Sequence, residues 1–172
     1  MNFKKLSDRV LVALYKKHLL DAVGKRPTKK ELIDIEKIMK ESHKDLDSNK
    51  NSEVKRVYNQ NLAKIWSKII AEEDSSNEIL IFKKNLPLND NLNLASLGSG
   101  MGVFEMFFSK NFYPNGLTTC IDFSNKMILE GKKIARKLQI KNINFKVSSA
   151  SKTSLKDSSQ DIVICRRTGF HS

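Results

Sequence analysis

Three glycines alternate in the segment Gly98-Ser99-Gly100-Met101-Gly102, between an apolar run and an amphipathic stretch. Glycine adopts backbone angles that other residues avoid, and it lets a ligand approach the main chain closely. Between a strand and a helix, such a loop is typical of a cofactor site, although a tight turn without a ligand is the alternative. The dinucleotide fingerprint requires its third glycine where Val103 stands here, so the spacing argues against a dinucleotide-binding turn.

An acidic residue, Asp122, follows the next apolar run, LTTCI. A carboxylate offers two acceptor oxygens, which suits the two hydroxyl groups of a ribose. The alternative role for Asp122 is to cap the following helix, and Ser124 is also suited to that role. We therefore expect Asp122 to face the same ligand as the glycine loop, residues 98–102.

The glycine loop and Asp122 can face one ligand only if a sheet brings them to the same edge. From residue 92 onward, short apolar runs alternate with amphipathic segments. This pattern is typical of parallel strands that are covered on both faces and joined by helices. Strands are predicted at 92–98, 117–124, 143–150 and 161–167, and helices at 103–111 and 126–140. The predicted fold class is therefore α/β, with a doubly wound, mainly parallel sheet of four recognisable strands.

The first 75 residues show helical periodicity. A helix is predicted over 4–22 with Gly24 as its C-cap, and Thr28 with Glu31 forms a capping box for the next helix. A third helix would carry Tyr58 and Trp66 on its buried stripe. We expect residues 1–75 to form a helical region that acts as a lid or packs simply against the sheet. Residues 76–172 would form the α/β cofactor-binding domain.

Composition and charge restrict the partners and the location. The formal net charge of +12 would attract anionic partners such as nucleic acid or phosphorylated metabolites, but we favour a solvated lysine-rich surface as its explanation. No block of basic residues is interleaved with aromatic residues. The N-terminal apolar run is too short for a signal peptide or a membrane span, so we expect no membrane association. Because the sequence has no disulfide framework, a reducing cytoplasm is the expected location. Cys120 and Cys165 lie in apolar runs without zinc-ligand spacing, so we expect buried thiols and no metal site.

As an ordered set, the runs LNLASLGSGMG, CIDFSNKMI and NINFKVSSASKTSLKDSSQDIVIC resemble class I S-adenosylmethionine-dependent methyltransferases, over about residues 80–172. The resemblance implies S-adenosylmethionine as the cofactor. It implies that the glycine loop contacts the methionine part and that Asp122 binds the ribose. It also implies that the adenine lies between Phe123 and Met127, with Ser149-Ala150 at its amino group. The implied cofactor-binding residues are Gly98, Ser99, Gly100, Met101, Asp122, Phe123, Met127, Ser149 and Ala150.

The sequence departs from the family pattern at several positions. Ser96 stands where the family usually has an acid two residues before the first glycine, so contacts to the cofactor's amino group are expected to differ. Ser149 replaces an acid that contacts the adenine, and Thr153-Ser154 replace a common Leu-Pro pair. Each of these changes is expected to weaken cofactor binding.

The family's sheet continues with three more strands, whereas this sequence stops at Ser172, shortly after the fourth. We therefore expect a fragment of a longer protein, a degenerate relative, or a homo-oligomer or partner that covers the edge of the fourth strand. In the family's strand order, the strands of Cys120 and Cys165 flank the first strand. Two strand spacings are roughly 9–10 Å, too far for a disulfide, so the resemblance implies free thiols.

The implied reaction is in-line transfer of a methyl group from the sulfonium to a nucleophile, catalysed mainly by alignment and exclusion of water. We expect a small-molecule acceptor, with RNA or protein substrates as alternatives. The sequence identifies no catalytic residue, because His171 is explained as a turn residue and His18 and His43 as solvated surface. The alternative function is a non-catalytic relative that binds cofactor or a partner, or a basic nucleic-acid-binding module.

Overall fold

The computed structural model describes residues 3–46, 63–72, 76–87 and 89–166 of the 172-residue chain. After a 3-10 turn at Phe3–Lys5, the described N-terminal helices are α1 (Asp8–Val23), α2 (Lys29–Leu46), α3 (Ala63–Glu72) and α4 (Ser76–Asn85). The elements that follow are β1 (Leu94–Leu97), α5 (Val103–Asn111), β2 (Thr118–Asp122), α6 (Asn125–Lys137), β3 (Ile143–Val147) and β4 (Ile162–Cys165). The predicted alternation of strands and helices after residue 92 is therefore confirmed, with each strand shorter than its predicted range.

The four strands form a parallel sheet in the order β3-β2-β1-β4. In this register Ser96 of β1 lies beside Cys120 of β2 and Ile164 of β4. The predicted α/β class and mainly parallel sheet are confirmed, and β2 and β4 flank β1 as expected. Because the strands point the same way, their carboxyl ends meet at one edge, where folds of this class bind ligands.

The helices that connect the first three strands contact each other, and both contact β2. Two successive right-handed crossovers in one direction place both helices on the same face of the sheet. The connection from β3 to β4, residues 148–161, contains no helix. One face of the described sheet is therefore covered by α5 and α6, and β4 forms an edge.

The two cysteines differ in exposure. As expected, no disulfide joins them, and Cys120 is buried in β2. The expectation that Cys165 is buried was wrong, because this side chain is exposed on β4. Alternate residues of a strand face opposite sides of the sheet. Cys165 therefore shares the outer side with Val163, which is 60% exposed, while Ile162 and Ile164 are buried.

Helix α1 packs into the same core as the sheet. Its residues Leu11, Tyr15 and Leu19 belong to one hydrophobic cluster with the phenylalanines of α5. The rings of Tyr15 and Phe107 meet edge to face, with centroids 5.2 Å apart and planes at 71°, an arrangement that aromatic quadrupoles favour. The N-terminal helices are thus attached to the helix that follows the glycine loop.

The predicted helix ends in this region are confirmed. The Gly24 N–H donates to the Leu20 carbonyl oxygen at 2.9 Å, which ends α1. The Thr28 N–H donates to Glu31 Oε2 at 2.8 Å, and the Glu31 N–H donates to Thr28 Oγ1 at 3.3 Å. This reciprocal pair is a capping box, and it starts α2.

Candidate cofactor-binding site

The glycine loop joins β1 to α5 at the carboxyl edge of the sheet. Gly98, Gly100 and Gly102 all have positive φ angles, of 66°, 57° and 69°. A Cβ atom on Gly102 would lie 2.8 Å from Cys120 Sγ, whereas one on Gly100 would meet Trp66 Nε1 at 3.7 Å and no other described atom within 4 Å. Glycine at 102 is therefore required for packing against β2, and glycine at 100 leaves the main chain open beside the indole ring.

Asp122 fastens the glycine loop to the tip of β2. Its Oδ2 accepts a hydrogen bond from the Gly100 N–H, and its Oδ1 accepts one from the Ser124 N–H, both at 2.8 Å. Burial raises the pKa of this carboxyl group, and the two hydrogen bonds act in the opposite direction. Each carboxylate oxygen can accept more than one hydrogen bond. The carboxylate therefore keeps acceptor capacity for a hydroxyl group of a ligand.

Ser124 is the N-cap of α6, because its Oγ accepts a hydrogen bond from the Met127 N–H at 3.3 Å. Of the two candidates for this role, Asp122 instead contacts the loop. Met127 and Met101 are buried within the hydrophobic cluster, and Phe123 is half-buried. The side chains of Met101 and Met127 therefore belong to the core, whereas Phe123 keeps part of its surface exposed.

The turn after β3 reaches the same edge of the sheet. The Ser148 N–H donates to the Asp122 carbonyl oxygen at 3.0 Å, so residues 148–150 lie beside the tip of β2. Ser149 and Ala150 are exposed, and Ser149 Oγ lies 2.8 Å from Ser151 Oγ. The structure thus brings the glycine loop, Asp122-Phe123 and Ser149-Ala150 to one edge.

A family comparison identifies this arrangement. Residues 88–171 match the family model that is described as a methyltransferase domain. This segment is therefore similar to methyltransferase domains. The resemblance found in the sequence is therefore confirmed.

Three solved structures are similar to this chain. The YcgJ protein from Bacillus subtilis is 22% identical, with a TM-score of 0.46, and the match covers 51% of this chain and 36% of that one. PKMT2 from Rickettsia typhi, solved in complex with AdoHcy, is 25% identical with a TM-score of 0.42, covering 48% and 16%. Coclaurine N-methyltransferase, bound to N-methylheliamine and SAH, is 14% identical with a TM-score of 0.47, covering 95% and 50%. This chain thus spans half or less of each of those proteins. Among curated proteins, none matches the sequence.

A buried carboxyl group beside the glycine loop was missed by the sequence reasoning. Ser96 Oγ donates to Glu105 Oε1 at 2.7 Å, and both residues are buried. Burial raises the pKa of Glu105, while the charge of Arg166 and the Ser96 hydrogen bond act to lower it. The sequence feature that could have predicted this buried group is an acidic residue within the apolar segment VFEMFF.

Gly131 in α6 was also missed. A Cβ atom there would lie 2.5 Å from the Met101 carbonyl oxygen and 2.6 Å from Phe145 Cε1. Glycine inside a helix costs about 1 kcal/mol relative to alanine. At this position it allows α6 to pack directly against the backbone of the glycine loop. An isolated glycine within a helical pattern is the sequence feature that could have indicated this close packing.

The N-terminal helices reach the glycine loop and the start of α5 through two side chains. Trp66 of α3 is half-buried against the hydrophobic cluster and approaches Gly100, as described above. The expectation that His18 of α1 is solvated was wrong, because its side chain is only 9% exposed. Its Nε2 donates a hydrogen bond to the Val103 carbonyl oxygen at 2.9 Å. Tyr58 and His171 lie outside the described residues.

No group of three or more His, Cys, Asp or Glu side chains in the described ranges could hold a metal ion. Likewise, none of the described helices combines the length and the apolar character that crossing a membrane requires.

Proposed function

We propose that this chain binds S-adenosylmethionine and transfers its methyl group to an acceptor, with a small molecule as the acceptor. The hydrogen bond from the Gly100 N–H to Asp122 Oδ2 carries this proposal. This bond holds a carboxylate, which we propose as the acceptor for the ribose hydroxyls, directly beside the glycine main chain. The proposed cofactor-binding residues are Gly98, Ser99, Gly100, Met101, Asp122, Phe123, Met127, Ser149 and Ala150.

The chemistry of these residues fits that cofactor. Asp122 retains lone pairs for the ribose hydroxyl groups, since each of its oxygens accepts one hydrogen bond from the backbone. The ring of Phe123 offers an apolar surface for a purine. The Ser149 hydroxyl can donate and accept hydrogen bonds with the polar edge of the base, although it lacks the charge of an acid. The absence of a side chain at Gly100 permits close approach to the main chain.

When bound, S-adenosylmethionine supplies a methyl group on a positively charged sulfur. The chain's residues would then act by holding the cofactor in place and by excluding water from the reacting groups. Residues 1–75 would act as a lid, and the position of Trp66 beside Gly100 supports this role. We assign no catalytic base, because alignment of a nucleophilic acceptor can be sufficient for this reaction.

The net charge of +12 would attract anionic acceptors. Because no block of basic residues is interleaved with aromatics, we favour a small anionic molecule over RNA.

Isothermal titration with S-adenosylmethionine, S-adenosylhomocysteine and NAD tests the proposal. We expect one-to-one binding of the first two ligands and no binding of NAD, and no heat with either sulfur ligand would contradict the proposal. Cofactor binding without labelled-methyl transfer to small-molecule, RNA or protein fractions would favour the non-catalytic alternative. RNA binding with a steep salt dependence would instead favour the nucleic-acid-binding alternative.

A further inference from the structure

The carboxyl group of Glu105 lies where the glycine loop leaves the sheet. Ser96 stands two residues before the loop, and Glu105 stands three residues after Gly102, in the first turn of α5. The 2.7 Å hydrogen bond from Ser96 Oγ to Glu105 Oε1 joins the two sides of the loop. The side chain of Glu105 therefore returns from the helix to the strand that precedes the loop.

The second carboxyl oxygen of Glu105 has no donor. Glu105 is 2% exposed, and its Oε2 has no hydrogen-bond partner among the described residues. Buried polar atoms are nearly always hydrogen-bonded, because an unpartnered one loses its interaction with water without replacement. Oε2 is therefore expected to receive a donor in the functional state of the protein.

Neighbouring charged groups do not satisfy this oxygen. The guanidinium group of Arg166 donates from Nη1 to Glu78 Oε2 at 2.5 Å, and its Cζ lies 4.3 Å from the centre of the Phe104 ring. Burial is the largest effect on the pKa of Glu105 and raises it, the charge of Arg166 lowers it, and the smaller effect of Asp122 raises it. Neither of these two residues supplies Oε2 with a hydrogen-bond donor.

We propose that Glu105 binds the α-ammonium group of the cofactor's methionine part. This inference rests on the proposed function. An ammonium group carries a positive charge and three N–H donors, which match a carboxylate oxygen that lacks a donor. The sulfonium has no N–H group, and the ribose hydroxyls have Asp122 as their acceptor. Glu105 thus supplies from α5 the acidic group that the strand position of Ser96 lacks.

The test compares two ligands that differ only in this ammonium group. The probes are S-adenosylhomocysteine and its deaminated analogue, in which hydrogen replaces the α-amino group. Calorimetry is run on the wild-type chain, on Glu105→Gln and on the control Glu130→Gln. Glu130 is a glutamate of α6 that is paired at the surface with Lys133 at 2.6 Å. Glu105→Gln removes the charge but keeps an acceptor for the Ser96 hydroxyl.

We expect the wild-type chain to prefer the amino ligand on the order of tenfold to hundredfold, the usual strength of a charge-assisted hydrogen bond. Glu105→Gln should lose this preference and bind the deaminated analogue about as well as the wild type does. Glu130→Gln should retain the full preference. The double variant Ser96→Asp with Glu105→Ala returns the carboxylate to β1, so it should regain the preference. It also provides the comparison if Glu105→Gln does not fold.

Equal binding of both ligands by the wild-type chain would overturn the inference and leave the proposed function intact. An undiminished preference in Glu105→Gln would do the same, because the ammonium would then be held by other groups. No binding of S-adenosylhomocysteine by the wild-type chain would overturn both proposals.

Discussion

Asp122 Oδ2 accepts a hydrogen bond from the Gly100 N–H at 2.8 Å, across the gap between the tip of β2 and the glycine loop. A single carboxylate thereby orders the main chain of the loop and, through Oδ1, the start of α6 at Ser124. The proposed ligand would bind to a carboxylate whose position is already fixed by two backbone donors. Such preorganisation reduces the entropy lost on binding.

Asp122→Asn should weaken the binding of S-adenosylhomocysteine on the order of tenfold to hundredfold, because a charged acceptor for the ribose hydroxyls is lost. Calorimetry measures this change. The matched control is Asp161→Asn, because Asp161 also accepts a backbone N–H, that of Asn93 at 2.8 Å, but at the amino end of β4. The control should bind normally, and equal losses in both variants would contradict the assignment of Asp122.

Gly102→Ala should destabilise the fold more than Gly100→Ala. Both positions have positive φ angles, so both alanines carry backbone strain of roughly 1 kcal/mol. At 102 the new Cβ would also lie 2.8 Å from Cys120 Sγ, while at 100 the nearest described atom is 3.7 Å away. Overpacking adds about 1–3 kcal/mol. Urea unfolding of the two variants measures the difference, and equal stabilities would show that the contact with Cys120 relaxes freely.

The stability of the protein should fall as the pH is lowered through 6.5 because of His18. Burial is the largest effect on the pKa of His18 in the folded chain, and it lowers this pKa. The hydrogen bond to Val103 and the charge of Asp21 raise the pKa, while the charge of Lys110 lowers it. The unfolded chain therefore binds more protons near the ordinary pKa of 6.5, and protonation favours unfolding. The contribution of one such group is at most about 1.4 kcal/mol per pH unit.

His18→Gln should remove this component while keeping an N–H donor for the Val103 carbonyl oxygen. Urea unfolding at pH 7.5 and 5.5 compares the variant with the wild type. Glu105 and Asp122 have raised pKa values and contribute with the opposite sign, but they are present in both proteins. A difference between the two proteins that does not change with pH would contradict the role of His18.

Binding of S-adenosylhomocysteine should change the fluorescence of the protein. The sequence contains one tryptophan, so the emission belongs to Trp66, whose indole nitrogen faces Gly100. A titration followed by fluorescence should give the same dissociation constant as calorimetry. Trp66→Phe serves as the silent control. Calorimetric binding with unchanged emission would show that α3 is not a lid over the cofactor.

One thiol should react rapidly with a disulfide reagent in the native protein, and two in urea. Cys165 is exposed on β4, whereas Cys120 is buried. Burial also raises the pKa of the Cys120 thiol well above its ordinary value, and only the thiolate is nucleophilic. Cys165→Ser should therefore abolish the rapid reaction. A rapid reaction that persists in this variant would show that the core around Cys120 opens readily.

The sequence by itself was sufficient for features that depend on neighbours along the chain. The glycine spacing, the capping box of Thr28 and Glu31, and the alternation of strands and helices are local patterns with a local physical cause. The position of Asp122 after a buried strand was enough to predict that it lies at the carboxyl edge of the sheet. Its bond to Gly100 follows because the two loops leave adjacent parallel strands.

Only the tertiary structure decided which distant side chains meet. His18 is buried because α1 packs on the start of α5, and Cys165 is exposed because it shares the outer side of β4 with Val163. Likewise, the contact of Glu105 with Ser96 depends on how α5 is placed over β1. A periodic pattern indicates that an element has a buried face, but it does not identify the residues that cover that face. That choice depends on contacts between residues far apart in the chain, which arise only when the helices and the sheet pack together.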